Sequence, residues 1–334
     1  MAWTRVVVVS TPGTRIYVRS GVVYAKPPGE DNEPVPITYD TELVLLATGA
    51  VSISGRALRR LAELGIRVLL LGQRGHVVAE YRPIDRVNKT IDSRLAQYRA
   101  KIEGWGLGYA AEMVIAKIIN QARVMRYLSK SRREPWIRKE AYRVEDEAIK
   151  LANEVEEGNV SPELIRGYEA RAAKKYWQVI ASLLPQDYGF TGRNPLGEDP
   201  VNKAINYAYA ILYGIVYDAL IVAGLDPYAG LLHSDRSGKP SLVFDYSDTF
   251  KPVAVDKALF TSIDTDMFLL YQGALTYTAR RKLSSRIIEA IYATSVSDAS
   301  GKKRTIRDHI YSYAWSLAKS LRERKAYGAF RARL

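Results

Sequence analysis

The 334-residue chain contains no cysteine. That single absence excludes disulfides, zinc–thiolate fingers, iron–sulfur clusters and thiol nucleophiles together. Histidine is scarce, at 3 residues, and no H-E-x-x-H pair is formed. The glycines form neither a Walker A loop nor a G-x-G-x-x-G fingerprint, so the common nucleotide cradles are missing. No G-x-S-x-G elbow supports a Ser-His-Asp triad. No stretch approaches 18 apolar residues, and the apolar run in MAWTRVVVVSTPG is too short for a signal peptide. The chain is therefore expected to be cytoplasmic, with no membrane partner.

What is present is a foldable core and an excess of one charge. Apolar residues make up 47% of the chain and charged residues 25%, which suits one large or two ordinary domains and argues against disorder. The formal charge is +13, which points towards a polyanion. Only +2 of it lies in residues 1–80; residues 81–334 carry the other +11. One basic run comprises Arg123, Arg126, Lys130, Arg132, Arg133, Arg138, Lys139 and Arg143, and a second extends from Lys302 to Arg333. A solvated helix face explains either run alone. Both runs on top of the global imbalance favour a nucleic-acid surface.

Residue patterning divides the chain at the same place. Residues 1–80 read as short β-rich runs, Arg5–Ser10, Arg15–Arg19, Val22–Lys26, Glu42–Leu46 and Val68–Leu71, punctuated by Pro12-Gly13 and Pro27-Pro28-Gly29. A helix fits at Arg56–Leu64, between Ser54-Gly55 and the stop signal Gly65. After Pro83 the pattern is helical, and Ser161-Pro162 supplies an N-cap followed by a first-turn proline. The expectation is an α+β chain: a small N-terminal β-domain (1–80), a linker (81–92), and a larger all-α domain (93–334).

Three places are candidates for chemistry. Glu169, in the helix after Ser161, lies one turn from Ile165 and from Ala172, near the buried stripe, with small neighbours that leave room above its carboxylate. It also reads as a boundary glutamate paired with Arg166 or Lys174. His233 sits at the lip of a polar turn after an apolar helix, where either a structural or a functional histidine fits. Asp245 and Asp248 follow Ser241-Leu-Val-Phe; if a helix starts there, both fall in its first turn on one face. Such acids either favour the helix dipole or flank a cation. An oxygen-rich site with one imidazole suits Mg²⁺ or Mn²⁺ better than zinc.

Taken together, these residues resemble the CRISPR-associated protein 1 family, the integrase of CRISPR adaptation. Gly230-Leu-Leu-His233, Ser241-Leu-Val-Phe-Asp245, Asp248, Phe250-Lys251-Pro252 and Asp256 are similar to its core signature. Tyr168–Ala173 looks like its glutamate helix, and Arg193-Asn194-Pro195 with Asp199–Asn202 and Asn206-Tyr207 like the segment that follows. Gly49–Ser54 leading into Leu58–Leu71 resembles the strand–helix–strand of its β-domain. Arg94, Gln97, Tyr98, Lys117, Asn120 and Gln121 resemble its domain-entry helices. Two stretches depart from the family pattern: Glu-Pro-Phe-Arg reads Asp248-Thr249-Phe250-Lys251, and Glu-Gly-Arg reads Thr278-Ala279-Arg280.

The resemblance implies a homodimer whose β-domain (1–80) serves dimerisation and whose all-α domain (93–334) is catalytic and binds DNA. It also implies a divalent metal, Mg²⁺ or Mn²⁺, held by Glu169, His233 and Asp248, with Asp245 as a further acidic catalytic position. Lys251 would contact DNA and Tyr213 would guide a strand end. The implied activity is that of a metal-dependent endonuclease and integrase. It would insert short DNA fragments into a CRISPR array by attack of a 3′-hydroxyl on a phosphodiester, with CRISPR-associated protein 2 as partner. The competing readings are a non-catalytic nucleic-acid-binding protein of the same fold, and a metallohydrolase of small phosphate esters that would leave the basic runs unexplained.

Overall fold

The computed structural model describes residues 6–72, 77–83, 90–233 and 238–334. The first strands are short and rich in β-branched residues: β1 (Val6–Val9), β2 (Thr14–Arg19), β3 (Val22–Lys26), β4 (Val35–Ile37), β5 (Leu43–Leu46) and β6 (Val51–Ile53). Helix α1 (Gly55–Glu63) follows, then β7 (Arg67–Leu71) and β8 (Val77–Tyr81). They form two four-stranded sheets, ordered β1-β5-β7-β8 and β4-β3-β2-β6. In the first, β1, β5 and β7 run parallel and β8 antiparallel. All four residues of β5 are buried, as a central parallel strand requires.

In the second sheet β2 and β3 are joined through Ser20 and Gly21, both at positive φ, which matches the right-handed twist of a tight hairpin. Ser54 caps α1 by accepting from the Ala57 amide at 3.2 Å, as the sequence signal suggested, and Gly65 follows at φ +73. Val9, Ile16, Val23, Ile37, Val44, Leu61 and Val68 are among the residues that join both sheets and α1 in one core.

Past Thr90 the chain is mainly helical: α2 (Thr90–Ile102), α3 (Gly106–Ser131), α4 (Trp136–Glu156), α5 (Pro162–Ser182), α6 (Pro200–Val222), α7 (Ser241–Asp248) and α8 (Lys257–Phe260). A π-helical turn at Pro252–Asp256 separates the last two. The hairpin β9 (Leu270–Tyr271) and β10 (Ala274–Leu275) precedes α9 (Tyr277–Tyr292). Then come β11 (Ser295–Asp298), β12 (Lys303–Thr305), α10 (Ile306–Glu323) and β13 (Ala332–Arg333). The α+β class holds, but the helical region is not all-α, because β12, β11 and β13 form a small antiparallel sheet. Ser161 Oγ accepts from the Leu164 amide at 3.1 Å and Pro162 opens α5, in line with the start signal read there.

The chain resolves into two compact units whose boundaries differ from the expected contiguous blocks. One unit contains residues 1–86, 200–214 and 264–288; the other contains 87–199, 215–263 and 289–334. The first gains its later segments by packing that β-patterning does not reveal. Gly214 in α6 lets Leu69 of β7 approach so closely that an added Cβ would lie 2.4 Å from Leu69 Cδ2. Tyr207 and Ser284, both buried, share a hydroxyl hydrogen bond of 3.0 Å. The expected linker 81–92 overlaps β8 at one end and α2 at the other, and residues 84–89 lie outside the described residues. Helix α6 is apolar and long enough to cross a membrane by length and composition, but 72% of its most apolar window is buried.

In the second unit α3 is the spine, packing against α4, α5, α7 and the π-helical turn. One side of it carries the C-terminal tail. Tyr109 Oη donates to the carbonyls of Ser320 and Lys325, Glu112 accepts from the Ala329 amide, and Arg123 donates to the Ala332 carbonyl. Phe330, fully buried, stacks on Phe250 with ring centroids 4.8 Å apart.

Candidate active site

Helix α7 begins at Ser241, four residues before Asp245, so the expectation of two first-turn acids is corrected. Asp248 is instead the last residue of the helix, at the negative end of its dipole, where a carboxylate is disfavoured. The dipole reading therefore fails for Asp248, and other cations must hold it.

Those cations are Lys117 and Lys251. Lys117 projects from α3 and its Nζ donates to Asp248 Oδ2 at 2.8 Å and to Glu169 Oε1 at 2.5 Å. Lys251, one turn beyond Asp248, donates to its other oxygen. Burial alone pushes the Asp248 carboxyl up, but the two ammonium groups outweigh it and hold the carboxyl well below the usual carboxylate range. Burial likewise depresses Lys117, and the charges of Asp248 and Glu169 reverse this, lifting it above the ordinary lysine value. The result is a nearly dry chain of alternating charge, Glu169–Lys117–Asp248–Lys251, with side chains 8–19% exposed.

Glu169 thus pairs with neither Arg166 nor Lys174. Arg166, one turn earlier on α5, donates to the Leu232 carbonyl at 2.8 Å and so ties the glutamate helix to the turn that carries His233.

His233 and Asp245 form the second element. Asp245 Oδ2 accepts the amides of Leu231 and Leu232 at 2.6 and 3.0 Å; Oδ1 accepts the His233 amide at 3.2 Å and bonds its Nδ1. Asp245 is buried, while His233 keeps about a third of its side chain exposed. With Nδ1 engaged, Nε2 is the ring nitrogen left to face a ligand. The turn needs Gly230, where a Cβ would lie 2.7 Å from Ser241 Cβ and 3.0 Å from Asp245 Oδ2. Gln97 and Lys101 of α2 hold the same turn through the carbonyls of Asp226, Ala229 and Gly230, at 2.8 to 2.9 Å. Residues 234–237 lie outside the described residues.

Of the residues singled out from sequence, Glu169 and Asp248 come together through Lys117, Lys251 donates directly to Asp248, and His233 joins Asp245. Among the described residues no three His, Asp or Glu side chains stand close enough to hold one ion. Glu169 and Asp248 form a pair, with the Lys117 ammonium between them. The Glu169 and Asp248 oxygens already share one cation, and hard anionic oxygens of this kind suit a divalent metal by their chemistry. Tyr213 belongs to the other unit, where its ring tilts against Tyr209 at 6.2 Å. Asp256 closes the π-helical turn and accepts from Tyr176 Oη at 2.9 Å, deep in the core.

Sequence reasoning missed Lys117 as a site residue. The signal was there: it is the one charge between Glu112 and Arg123, in the stretch MVIAKIINQA. A lone lysine inside an apolar helical run needs a carboxylate partner if it is buried. Asn120, three residues on, has a supporting role, donating to the carbonyls of Thr249 and Phe330 and accepting from the Ala332 amide.

Comparison with known proteins adds a family to this geometry. Residues 7–286 match the model of the family described as CRISPR associated protein Cas1. A relative from Hyperthermus butylicus, named CRISPR-associated endonuclease Cas1, is 59% identical over 97% of this chain and 98% of its own length. Among solved structures, a casposase bound to integration product superposes with a TM-score of 0.80 at 22% identity, covering 96% of this chain and 91% of that one. A polypeptide of a Cas6-RT-Cas1–Cas2 complex gives a TM-score of 0.74 at 18% identity, covering all of this chain and 37% of that one. At such identities the two structures show the fold.

Proposed function

The chain belongs to the Cas1 family, and from that premise we propose that it is a DNA integrase and endonuclease of CRISPR adaptation. The reaction is phosphoryl transfer. The 3′-hydroxyl oxygen of a short DNA fragment forms a bond to the phosphorus of a phosphodiester in the array, and the bond from that phosphorus to the resident 3′ oxygen breaks. The attacking hydroxyl gives up its proton and the departing oxygen gains one. With water in place of the hydroxyl, the same step is endonucleolytic.

The observation that carries the reading is the bridge of Lys117 between Glu169 and Asp248. It places two carboxylates around a single cation inside a basic unit. Glu169, Asp248 and His233 would hold Mg²⁺ or Mn²⁺, which when bound supplies Lewis-acid stabilisation of the phosphoryl charge. Asp245 fixes the tautomer and orientation of the His233 ring. Lys251 neutralises phosphate charge, and Tyr213 steers a strand end. DNA and a Cas2 protein are the partners the reading requires. Two copies of the chain, joined through the strand-rich region, would let both ends of a fragment be inserted.

The test is strand joining by purified protein on a labelled fragment and a repeat-containing duplex. Glu169→Ala and His233→Ala should abolish joining while DNA affinity is largely kept, and chelation should stop the wild type until Mg²⁺ or Mn²⁺ is restored. Undiminished joining by either variant would overturn the site assignment, and full activity in excess chelator would remove the metal.

A further inference from the structure

The two basic runs of the sequence, separated by more than 150 positions, converge in the second unit. Arg123 and Arg126 from α3, with Arg333 from β13 and Leu334 beyond it, line an open cavity of about 260 Å³. That is several times the ~30 Å³ share of one water molecule, so a tetrahedral oxyanion fits with part of its hydration shell.

The positive charge around the cavity is only partly matched. Arg126 pairs with Glu145, and the neighbouring Arg331 pairs with Glu112 at 2.7 Å. Arg123 and Arg333 donate instead to main-chain carbonyls, those of Ala332 and Ala299, each at 2.6 Å. Among the described residues neither makes an ion pair with a carboxylate. Burial lowers the Arg123 guanidinium from its ordinary value; Glu145 opposes this, and the charges of Arg331, Arg126 and Arg333 add to it. An anion placed among such groups would relieve their mutual repulsion, and the planar guanidinium fork matches phosphate oxygens.

We propose that this cavity seats one backbone phosphate of bound DNA, apart from the Glu169–Asp248 centre. The assignment of DNA as the source of that phosphate rests on the function proposed above. Arg123 lies six residues beyond Lys117 on α3, so one rigid helix would carry both the chemistry and a grip on the strand.

The experiment is fluorescence anisotropy of a short labelled duplex over a salt series, with chelator present so that no metal contributes. The Arg123→Gln/Arg333→Gln variant should lower the slope of log affinity against log salt by about 1 and weaken binding roughly tenfold near 0.15 M salt. Arg138→Gln/Lys139→Gln removes equal charge from an exposed stretch of α4 and should lower the slope less. Because Arg123 is half-buried, the exposed Arg333→Gln alone, with an unchanged melting temperature, should shift the slope in the same direction. An unchanged slope in these variants, or an equal fall in the α4 control, overturns the seat while leaving the proposed function standing. Wild-type protein that fails to bind the duplex at low salt overturns both.

Discussion

Asp245 holds His233 twice, by its backbone amide and by its ring Nδ1, while its second oxygen accepts the amides of Leu231 and Leu232. One buried carboxylate therefore sets both the path of the turn and the direction of the imidazole. Asp245→Ala leaves three amides unpaired and should destabilise the protein by about 3 kcal/mol or more. Asp245→Asn keeps an acceptor for the amides but cannot bond the Nδ1–H as a charged group does. It should remain folded and lose most strand joining. Denaturant unfolding beside the joining assay checks this, and an Asn variant with full activity would remove Asp245 from the site.

Lys117→Met removes the cation shared by Glu169 and Asp248. Breaking a buried pair on one side costs about 3–5 kcal/mol, most of it from the charge left behind. Added Mg²⁺ or Mn²⁺ should restore part of that loss in the variant, and more than it stabilises the wild type. Thermal unfolding with and without metal decides it; a variant as stable as wild type without metal would show that the bridge contributes nothing.

The same pair sets a pH response. Asp248 is held below its ordinary value of 3.8 in the folded protein, because Lys117 and Lys251 outweigh burial. Its contribution is present above the unfolded pKa, near 4, and is lost as pH falls through the folded value. Lys117 is shifted the other way, above its ordinary 10.5. Its contribution is present below the unfolded value and is lost only as pH rises through the raised one. From these groups a plateau should extend from about pH 4 to 10, with an acid limb that shrinks in Lys117→Met. Unfolding free energies measured across pH test this, and identical acid limbs in both proteins would contradict it.

Gly230→Ala is expected to damage the site without touching a reacting group. Its methyl would press on Ser241 and on the Asp245 carboxylate, and overpacking of this kind costs about 1–3 kcal/mol. Joining should fall far more than stability, because the displaced group orients His233. Equal activity of the variant and wild type would mean the turn adapts freely.

Much of the fold was legible because its signals are local. β-rich runs and turn residues marked β2, β3 and β5, and Ser54 and Ser161 announced the helices they cap. β8 was harder to see: Val77–Tyr81 is a short, largely exposed edge strand. The membership of residues 200–214 and 264–288 in the strand-rich unit was not legible, since it depends on contacts such as Gly214 with Leu69. At the site, residue types and spacing singled out Glu169, His233, Asp245 and Asp248 as candidates, and only the family resemblance gave them roles. The division of labour among them did not follow from spacing. A three-residue interval places Asp245 and Asp248 on one face of α7, but what each carboxylate meets depends on the turn at 231–233 and on α3. Hence Asp245 proved to be the holder of the imidazole, and the partner of Asp248 came from 131 positions upstream.

The C-terminal tail has a consequence for the order of assembly. Asn120 joins the carbonyl of Thr249, next to Asp248, to Phe330 and Ala332, and Phe330 closes over Phe250. A ribosome therefore releases the acidic residues of the centre long before it supplies the segment that braces them. A nascent chain paused after α9 would carry Glu169, His233, Asp245 and Asp248 while lacking the tail that braces Thr249 and Phe250, so the framework around Asp248 should become fixed only late in synthesis.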